Sequence, residues 1–393
     1  MTDTLLPTID AVATQVHAHV SRLSSEMTID AAEQIVFDVL ASVLFGVSFS
    51  VRRHESIIFS LDLDALKREV TQAASIDVLS AVCERYLAGY RTHDRHWLGA
   101  FYTPAQLSRF LVHSVDALLH SIDLDGIADP GVRVIDPACG SGNLLTEAAS
   151  FAPSGGVSAE KFHGVERISC AAHVCNLRMR ALCSGCDDAV SACCRTGNAM
   201  ESLVFANVSG PLAILCGPPF NQYSTDVLPE GNGAAAVYRR YVAPCIERGL
   251  DANAHTDAYI KFIALCHDLL VRSDSGVIGL VVRHAWLASH AHAGMRVAMM
   301  QDFDEIFVVD LHGDPHDRFH GNRRDENVYR DMVYDVGVCV LFLVRRQGKG
   351  CREIKRFDLF GDRPEKWDWL MNHTPNSISW NTVIPAEPWC AFA

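Results

Sequence analysis

The sequence predicts an α/β fold, a mostly parallel sheet covered by helices with a helical domain in front of it, and three observations carry that prediction. Short apolar runs ending at Gly, Pro, Asp or Asn alternate with stretches of helical spacing from about residue 100 onward. One of these runs, Val132 to Ile135, enters Asp136-Pro137-Ala138-Cys139-Gly140-Ser141-Gly142-Asn143-Leu144-Leu145. That reads as a strand, a tight glycine turn and a helix start, the juncture at which α/β sheets hold nucleotide-like ligands. Residues 1–98, by contrast, show helical periodicity alone.

The chain of 393 residues can bury a large core in two or three compact units, and 49% hydrophobic with 21% charged residues is a soluble globular composition. Asp3 and Asp10 stand where a signal peptide needs a basic and then an apolar region. The most apolar window, Val39 to Val51, is too short to cross a bilayer and follows Glu33 and Asp38, so it reads as a buried helix and the expected location is cytoplasmic. Fourteen cysteines in such a chain are expected as free thiols. Cys170, Cys175, Cys183, Cys186, Cys193 and Cys194 have a metal-like spacing. However, Cys170 and Cys175 fall on a helix pattern, and Cys193 and Cys194 in a strand pattern point to opposite faces, so no metal site is expected. A net charge of -13 opposes phosphate binding over the whole surface. Arg345, Arg346, Lys349, Arg352, Lys355 and Arg356 form either a local basic patch or a solvated hairpin tip.

Taken in order, Thr28 or Asp30 can cap an amphipathic run from Ala31 to Phe45, and Ile76, Val78, Leu79, Val82 and Leu87 repeat at helical spacing. No chemistry is visible in these helices. Cys83-Glu84-Arg85-Tyr86-Leu87, Tyr90 and Arg95 then lead to Gly99-Ala100-Phe101-Tyr102-Thr103-Pro104, where Pro104 suits the first turn of a helix capped by Thr103. The N-terminus of that helix is a place for a carboxylate. At the glycine turn, Gly140 and Gly142 let a ligand approach the backbone, and Asp136 can hold a cationic amine. A dinucleotide would want a third glycine near Leu145; its absence favours S-adenosylmethionine. A second strand, Lys161 to Glu166, ends in an acid able to accept ribose hydroxyls, the alternative being a surface capping acid. A third, Val190 to Arg195, runs to Gly197-Asn198, and a fourth, Leu212 to Cys216, opens onto Gly217-Pro218-Pro219-Phe220. Asp257-Ala258-Tyr259-Ile260-Lys261-Phe262 starts a helix, and Gly276 to Arg283, Phe303 to Leu311 and Gly337 to Arg346 complete seven strands.

Val134 to Leu145 resembles motif I of the adenine-N6 DNA methyltransferases, Gly99 to Pro104 resembles motif X, and Gly217 to Phe220 resembles motif IV, N-P-P-F or N-P-P-Y. The segments Val309-Asp310-Leu311-His312-Gly313, Glu326-Asn327-Val328-Tyr329, Gly337-Val338 and Lys366-Trp367-Asp368-Trp369-Leu370 resemble the methyltransferase part of single-chain restriction-modification enzymes, closest to the type ISP group. Motif order X, I, IV is the γ arrangement. The resemblance implies a Rossmann-like S-adenosylmethionine-dependent sheet of seven strands, the last antiparallel. It divides the chain into a helical domain (1–98), a methyltransferase domain (99–346) and an extension (347–393), in which Thr374 to Pro388 leads toward an absent target-recognition domain. It implies that Tyr102, Thr103, Pro104, Asp136, Ala138, Gly140, Gly142, Glu166 and Asn198 hold S-adenosylmethionine, with Thr103 on the methionine carboxylate and Asn198 on the adenine. It places Gly217, Pro218, Pro219 and Phe220 at catalysis on double-stranded DNA with a flipped adenine: the first side chain and the Pro218 carbonyl take the two amine hydrogens, and Phe220 stacks on the base. No metal is required, and a separate specificity or translocase-nuclease subunit is the implied partner.

Gly217 departs from the family pattern because it has no side chain. Loss of one such acceptor costs roughly 100- to 1000-fold in rate, so the alternative is a catalytically impaired subunit that binds cofactor in a structural or regulatory role. N-P-P-Y also serves protein glutamine methyltransferases, but Phe101-Tyr102-Thr103-Pro104 and Asp310-Leu311-His312-Gly313 argue against that reading. The space beside Phe220 is expected to be empty, or filled by a neighbour such as Asn221 or by water, so that Gly217→Asn should raise methylation roughly tenfold or more.

Overall fold

The computed structural model describes residues 6–45, 75–93, 98–151, 159–182, 193–201, 205–221, 224–250, 255–273, 275–314, 319–320, 323–329, 336–346, 351, 353–386 and 388–392. Arg95, Cys183, Cys186, Lys349 and Arg352, the predicted strand start at Val190 and the predicted helix end at Val51 lie outside them.

Among the described residues the first helices are α1 (Leu6–Leu23), α2 (Ile29–Phe45) and α3 (Ser75–Tyr90). The Ala31 amide donates to Thr28 Oγ1 at 3.3 Å, which makes Thr28 the cap of α2. Their apolar faces share one core with Cys170, Val174 and Leu177 of α6 (Ser169–Leu182), so these helices are packed directly on a helix that follows β2 (Phe162–Glu166). The other helices are α4 (Ala105–His120), α5 (Asn143–Ala149), α6 (Ser169–Leu182), α7 (Gly233–Glu247), α8 (Ala258–Arg272), α9 (Ala293–Asp302) and α10 (Arg363–Asn372).

The main sheet is built from β1 (Arg133–Asp136), β2 (Phe162–Glu166), β3 (Cys194–Thr196), β4 (Leu212–Cys216), β5 (Gly276–Arg283) and β6 (Glu305–Asp310). After a two-residue hairpin, β7 (Phe319–His320) and β8 (Arg323–Arg324), it adds β9 (Val338–Arg345), β10 (Glu353–Asp358) and β11 (Asn381–Thr382). The order across it is β11-β10-β6-β9-β5-β4-β1-β2-β3. β9 runs antiparallel to both neighbours, pairing Leu343 with Ile278 of β5 and Phe342 with Phe307 of β6. Both faces are covered. Along β9, Val338, Val340, Phe342 and Val344 enter one core while Cys339, Leu341 and Leu343 enter the other, which is why the strand reads as a continuous apolar run. The strand order reverses between β1 and β4, and at such a switch point the carboxyl ends of the strands leave a crevice for ligand.

The seven predicted strands are present, with the seventh antiparallel as expected. Two more extend the sheet beyond residue 346: β10, parallel to β6, and β11, antiparallel to β10. β9 and β10 are therefore not a hairpin, because β6 lies between them. Nor are the described cations of that region a free basic patch. Arg345 donates to the Asp302 carbonyl at 2.6 Å, Arg346 pairs with Glu305 at 3.0 Å, Lys355 with Glu353 at 3.0 Å, and Arg356 with Asp358 at 2.7 Å. The cysteine reading also changes. Cys193 precedes β3, so strand alternation does not govern it, and the Sγ atoms of Cys139, Cys175 and Cys194 converge within 4.8 Å of one another. None of the helices among the described residues is long and apolar enough to cross a membrane.

Candidate active site

The crevice at the switch point is a cavity of about 370 Å³. It is lined by Tyr102, Thr103, Asp136, Ala138 and Gly140, and also by Glu166, Asn198, Gly217 and Pro219. The fold thus brings together nine of the thirteen predicted site residues. Pro104, Gly142, Pro218 and Phe220 are not part of the lining.

The turn after β1 needs its glycines for two reasons. Gly140 has φ +55°, and a Cβ there would run into the Tyr102 ring, so the motif X segment closes directly over the turn. Gly142, φ +94°, caps α5, and a Cβ on it would meet Cys175 Sγ at 2.7 Å; its role is packing, away from the cavity. Asp136 is fully buried at the strand's end. Its Oδ1 accepts from the Ala138 amide at 3.1 Å, and its Oδ2 has no hydrogen-bond partner. Burial pushes its pKa up to about 8, against the opposing effect of the Ala138 N–H and with a further push from Glu166. An unpaired buried carboxylate oxygen facing a cavity is costly unless a cationic group completes it.

Glu166 is a buried acid and not a surface cap. It accepts from the Gly140 amide at 2.9 Å and the Ile168 amide at 2.7 Å, and the Arg167 N–H also favours its charged form against the rise that burial imposes. Asn198 is more committed: Oδ1 accepts from Met200 N at 3.2 Å, and Nδ2 donates to Glu201 and Asp226 at 2.9 and 3.2 Å. Asp226 lines the same cavity and is gripped by Arg167 at 2.9 Å to both oxygens, while Lys261 donates to the Ser224 and Asp226 carbonyls at 2.7 and 2.6 Å. No motif in the sequence marked this loop.

Two helices, α6 and α3, also support the turn. Arg178, 1% exposed, donates to the Ser141 carbonyl at 2.7 Å and to Asn143 Oδ1 at 2.8 Å, and Asn143 Nδ2 reaches the Thr103 carbonyl at 3.1 Å. From α3, Ser80 reaches Ser141 at 2.7 Å and Glu84 accepts from Asn143 at 3.3 Å; burial holds the Glu84 carboxyl above its usual range. Only the acid in Cys83-Glu84-Arg85, on an otherwise apolar helix face, hinted at this.

Three expectations about motifs X and IV change. Thr103 does not cap α4: Pro104 is the N-cap residue and makes no side-chain cap bond. The Phe220 ring is 2% exposed and faces Tyr329 edge-on at 6.2 Å, in the core and not in the cavity. The space beside Gly217 is neither empty nor filled by Asn221. Thr103 Oγ1 occupies the position a Cβ would need, and the Asn221 carbonyl accepts from Ala258 N at 2.9 Å.

A sheet with this strand order and antiparallel insertion, with a glycine turn over a buried acid at its switch point, defines a Rossmann-like methyltransferase fold. The family model for N-6 DNA Methylase matches residues 74–306, more than half of the chain, and the chain belongs to that family. No curated protein matches. Among solved structures, the DrdV-DNA complex is similar at 19% identity and TM-score 0.67 over 98% of this chain and 44% of that chain. The ATP-dependent Type ISP restriction-modification enzyme LlaBIII bound to DNA is similar at 15% and 0.66, over 100% of this chain and 32% of that one. A modification subunit of a putative type I restriction enzyme from Vibrio vulnificus YJ016 is similar at 16% and 0.53, over 88% and 68%. These likenesses are of fold, and the chain spans less than half the length of the first two.

Proposed function

We propose that this chain is the methyl-transfer module of a restriction-modification or phage-defence system, moving a methyl group from S-adenosylmethionine to N6 of an adenine flipped out of double-stranded DNA. The observation that carries the reading is the orphaned Asp136 Oδ2 in a cavity that also reaches Gly217 and Pro219. It fits the cofactor's ammonium and sets the motif IV backbone within the same enclosure. When bound, S-adenosylmethionine supplies an electrophilic methyl on a sulfonium, and the chain's contribution is positioning. Asp136 would hold the amine, Glu166 the ribose hydroxyls, and Asn198 the edge of the cofactor's adenine. The Pro218 carbonyl would take one hydrogen of the target amine. Stacking on the base is not assigned to Phe220, whose ring lies in the core.

Calorimetry should give a dissociation constant for S-adenosylmethionine on the order of micromolar, about -8 kcal/mol. Absence of binding at millimolar cofactor would sink the reading. DNA is the proposed second partner, with a specificity or translocase-nuclease polypeptide supplying sequence recognition. The net charge of -13 and the ion-paired Arg346 and Arg356 predict that DNA association by this chain alone is weak and steeply salt-dependent. Gel shifts at two salt concentrations measure this, and tight sequence-selective binding would contradict it.

A further inference from the structure

We infer that the Thr103 hydroxyl stands in for the side chain that position 217 lacks, accepting a hydrogen bond from the N6 amine of the target adenine. The inference rests on the adenine-N6 reading above and names the acceptor that reading leaves missing. A Cβ built on Gly217 has only Thr103 within 4 Å, and Oγ1 lies closer to it than unbonded atoms approach. That separation matches the one between Cβ and the amide oxygen of an asparagine, ~2.4 Å by standard bond lengths. The hydroxyl oxygen thus sits at the distance at which the family's usual acceptor oxygen would sit.

Local structure explains how it gets there. Gly99, φ +64°, brings the 99–103 segment flat against motif IV: the Phe220 amide donates to the Gly99 carbonyl at 3.1 Å, and a Cβ on Gly99 would lie 2.6 Å from the Phe220 carbonyl carbon. The Thr103 carbonyl is taken by Ser108 and Asn143 at 3.3 and 3.1 Å. Because Pro104 holds the N-cap place of α4, the Thr103 hydroxyl is not spent on the helix. Beside it lies the buried Tyr329, and the Thr103 hydroxyl partly offsets the rise that burial imposes on that phenol.

The chemistry balances without a further reagent. A hydroxyl oxygen carries two lone pairs. Accepting one N–H of the target amine draws its lone pair out of the ring. That pair forms the new N–C bond while the S–C bond breaks, its electrons staying on sulfur, and the surplus N6 proton then leaves to water. Thr103 accepts a hydrogen bond and is not itself protonated.

Thr103→Val keeps the shape and removes the oxygen. It should lower the rate of tritiated methyl transfer to double-stranded plasmid DNA, at saturating S-adenosylmethionine, by roughly tenfold or more. With Oγ1 against Gly217, the role of Thr103 on the methionine carboxylate that motif X implies is given up in this inference, and the calorimetric Kd for the cofactor should therefore stay within about twofold. Thr103→Ser should retain the rate. Adding Gly217→Asn to Thr103→Ala, which leaves only the residue-103 Cβ, 3.7 Å from the new one, should restore most of the loss, whereas Gly217→Asn alone displaces the hydroxyl and should gain little. Three results would overturn the inference: a cofactor Kd raised tenfold in Thr103→Val, an unchanged transfer rate in that variant, or an inactive wild type made active by Gly217→Asn. Wild type and Gly217→Asn both inactive with cofactor bound would instead remove the methyltransferase reading itself.

Discussion

Asp136→Asn should make the ligand-free protein more stable and at the same time remove most of its affinity for S-adenosylmethionine. In the folded chain burial holds the Asp136 carboxyl protonated up to about pH 8, whereas in the unfolded chain it ionises near 3.9. Between those values the folded state binds a proton that the unfolded state does not, so the contribution of Asp136 to stability is greatest at acid pH and declines as pH rises to about 8. The amide has no proton to lose and is spared this decline. At neutral pH the gain is on the order of 4 kcal/mol as an upper limit, read as a higher Tm that grows from pH 5 to pH 8. The cofactor reverses the preference. Its ammonium would meet Oδ2, the one carboxyl oxygen without a partner, and a charge-assisted hydrogen bond there is worth enough that its loss raises Kd roughly 10- to 100-fold. Binding to the wild type should therefore release a proton near neutrality and tighten as pH approaches 8. Wild-type affinity in Asp136→Asn would remove the assignment of the whole cavity.

Much of this site is legible in the sequence because its parts are local. Val134 to Leu145 is a strand, turn and helix whose conformation is set by its own glycines, and β1, β4 and β5 announce themselves as apolar runs. What the sequence hid is of two kinds. β10 carries Glu353, Lys355, Arg356 and Asp358, and a strand near a sheet edge keeps such residues half exposed; the Lys355 ammonium lies over the Phe307 ring, 5.1 Å from its centroid. Its charges read as a basic patch or a solvated hairpin tip, and the strand beneath them went unseen. The second kind is long-range. That Thr103 fills the space beside Gly217, that Glu84 reaches the motif I turn, and that Phe220 turns toward Tyr329 all depend on segments separated by tens of residues meeting at side-chain precision. Periodicity and spacing carry no such information.

Lys366→Met should be among the most damaging substitutions outside the cavity. Lys366 is fully buried. Its ammonium pairs with Asp325 at 2.7 Å and donates to the Leu311 carbonyl at 2.5 Å and the Glu326 carbonyl at 2.7 Å. Asp325 in turn accepts from the amides of Gly313 and Gly361 at 2.7 and 3.2 Å. One lysine therefore ties together Asp310-Leu311-His312-Gly313, Glu326-Asn327-Val328-Tyr329 and Lys366-Trp367-Asp368-Trp369-Leu370, three segments that are separate in sequence. Methionine fills the volume but leaves a buried carboxylate without its cation and two carbonyls without a donor, which costs about 3–5 kcal/mol. The double variant Lys366→Met with Asp325→Asn removes the stranded charge and should recover part of the loss. The loosened segment includes Tyr329, which lies beside Thr103, so methyl transfer should fall more than cofactor affinity does. Denaturant midpoints for the single and double variants, with transfer rates and cofactor Kd measured alongside, test each part. A single variant as stable as the wild type would show that the ion pair is dispensable, and equal losses in rate and affinity would break the link from Lys366 to the motif IV side of the cavity.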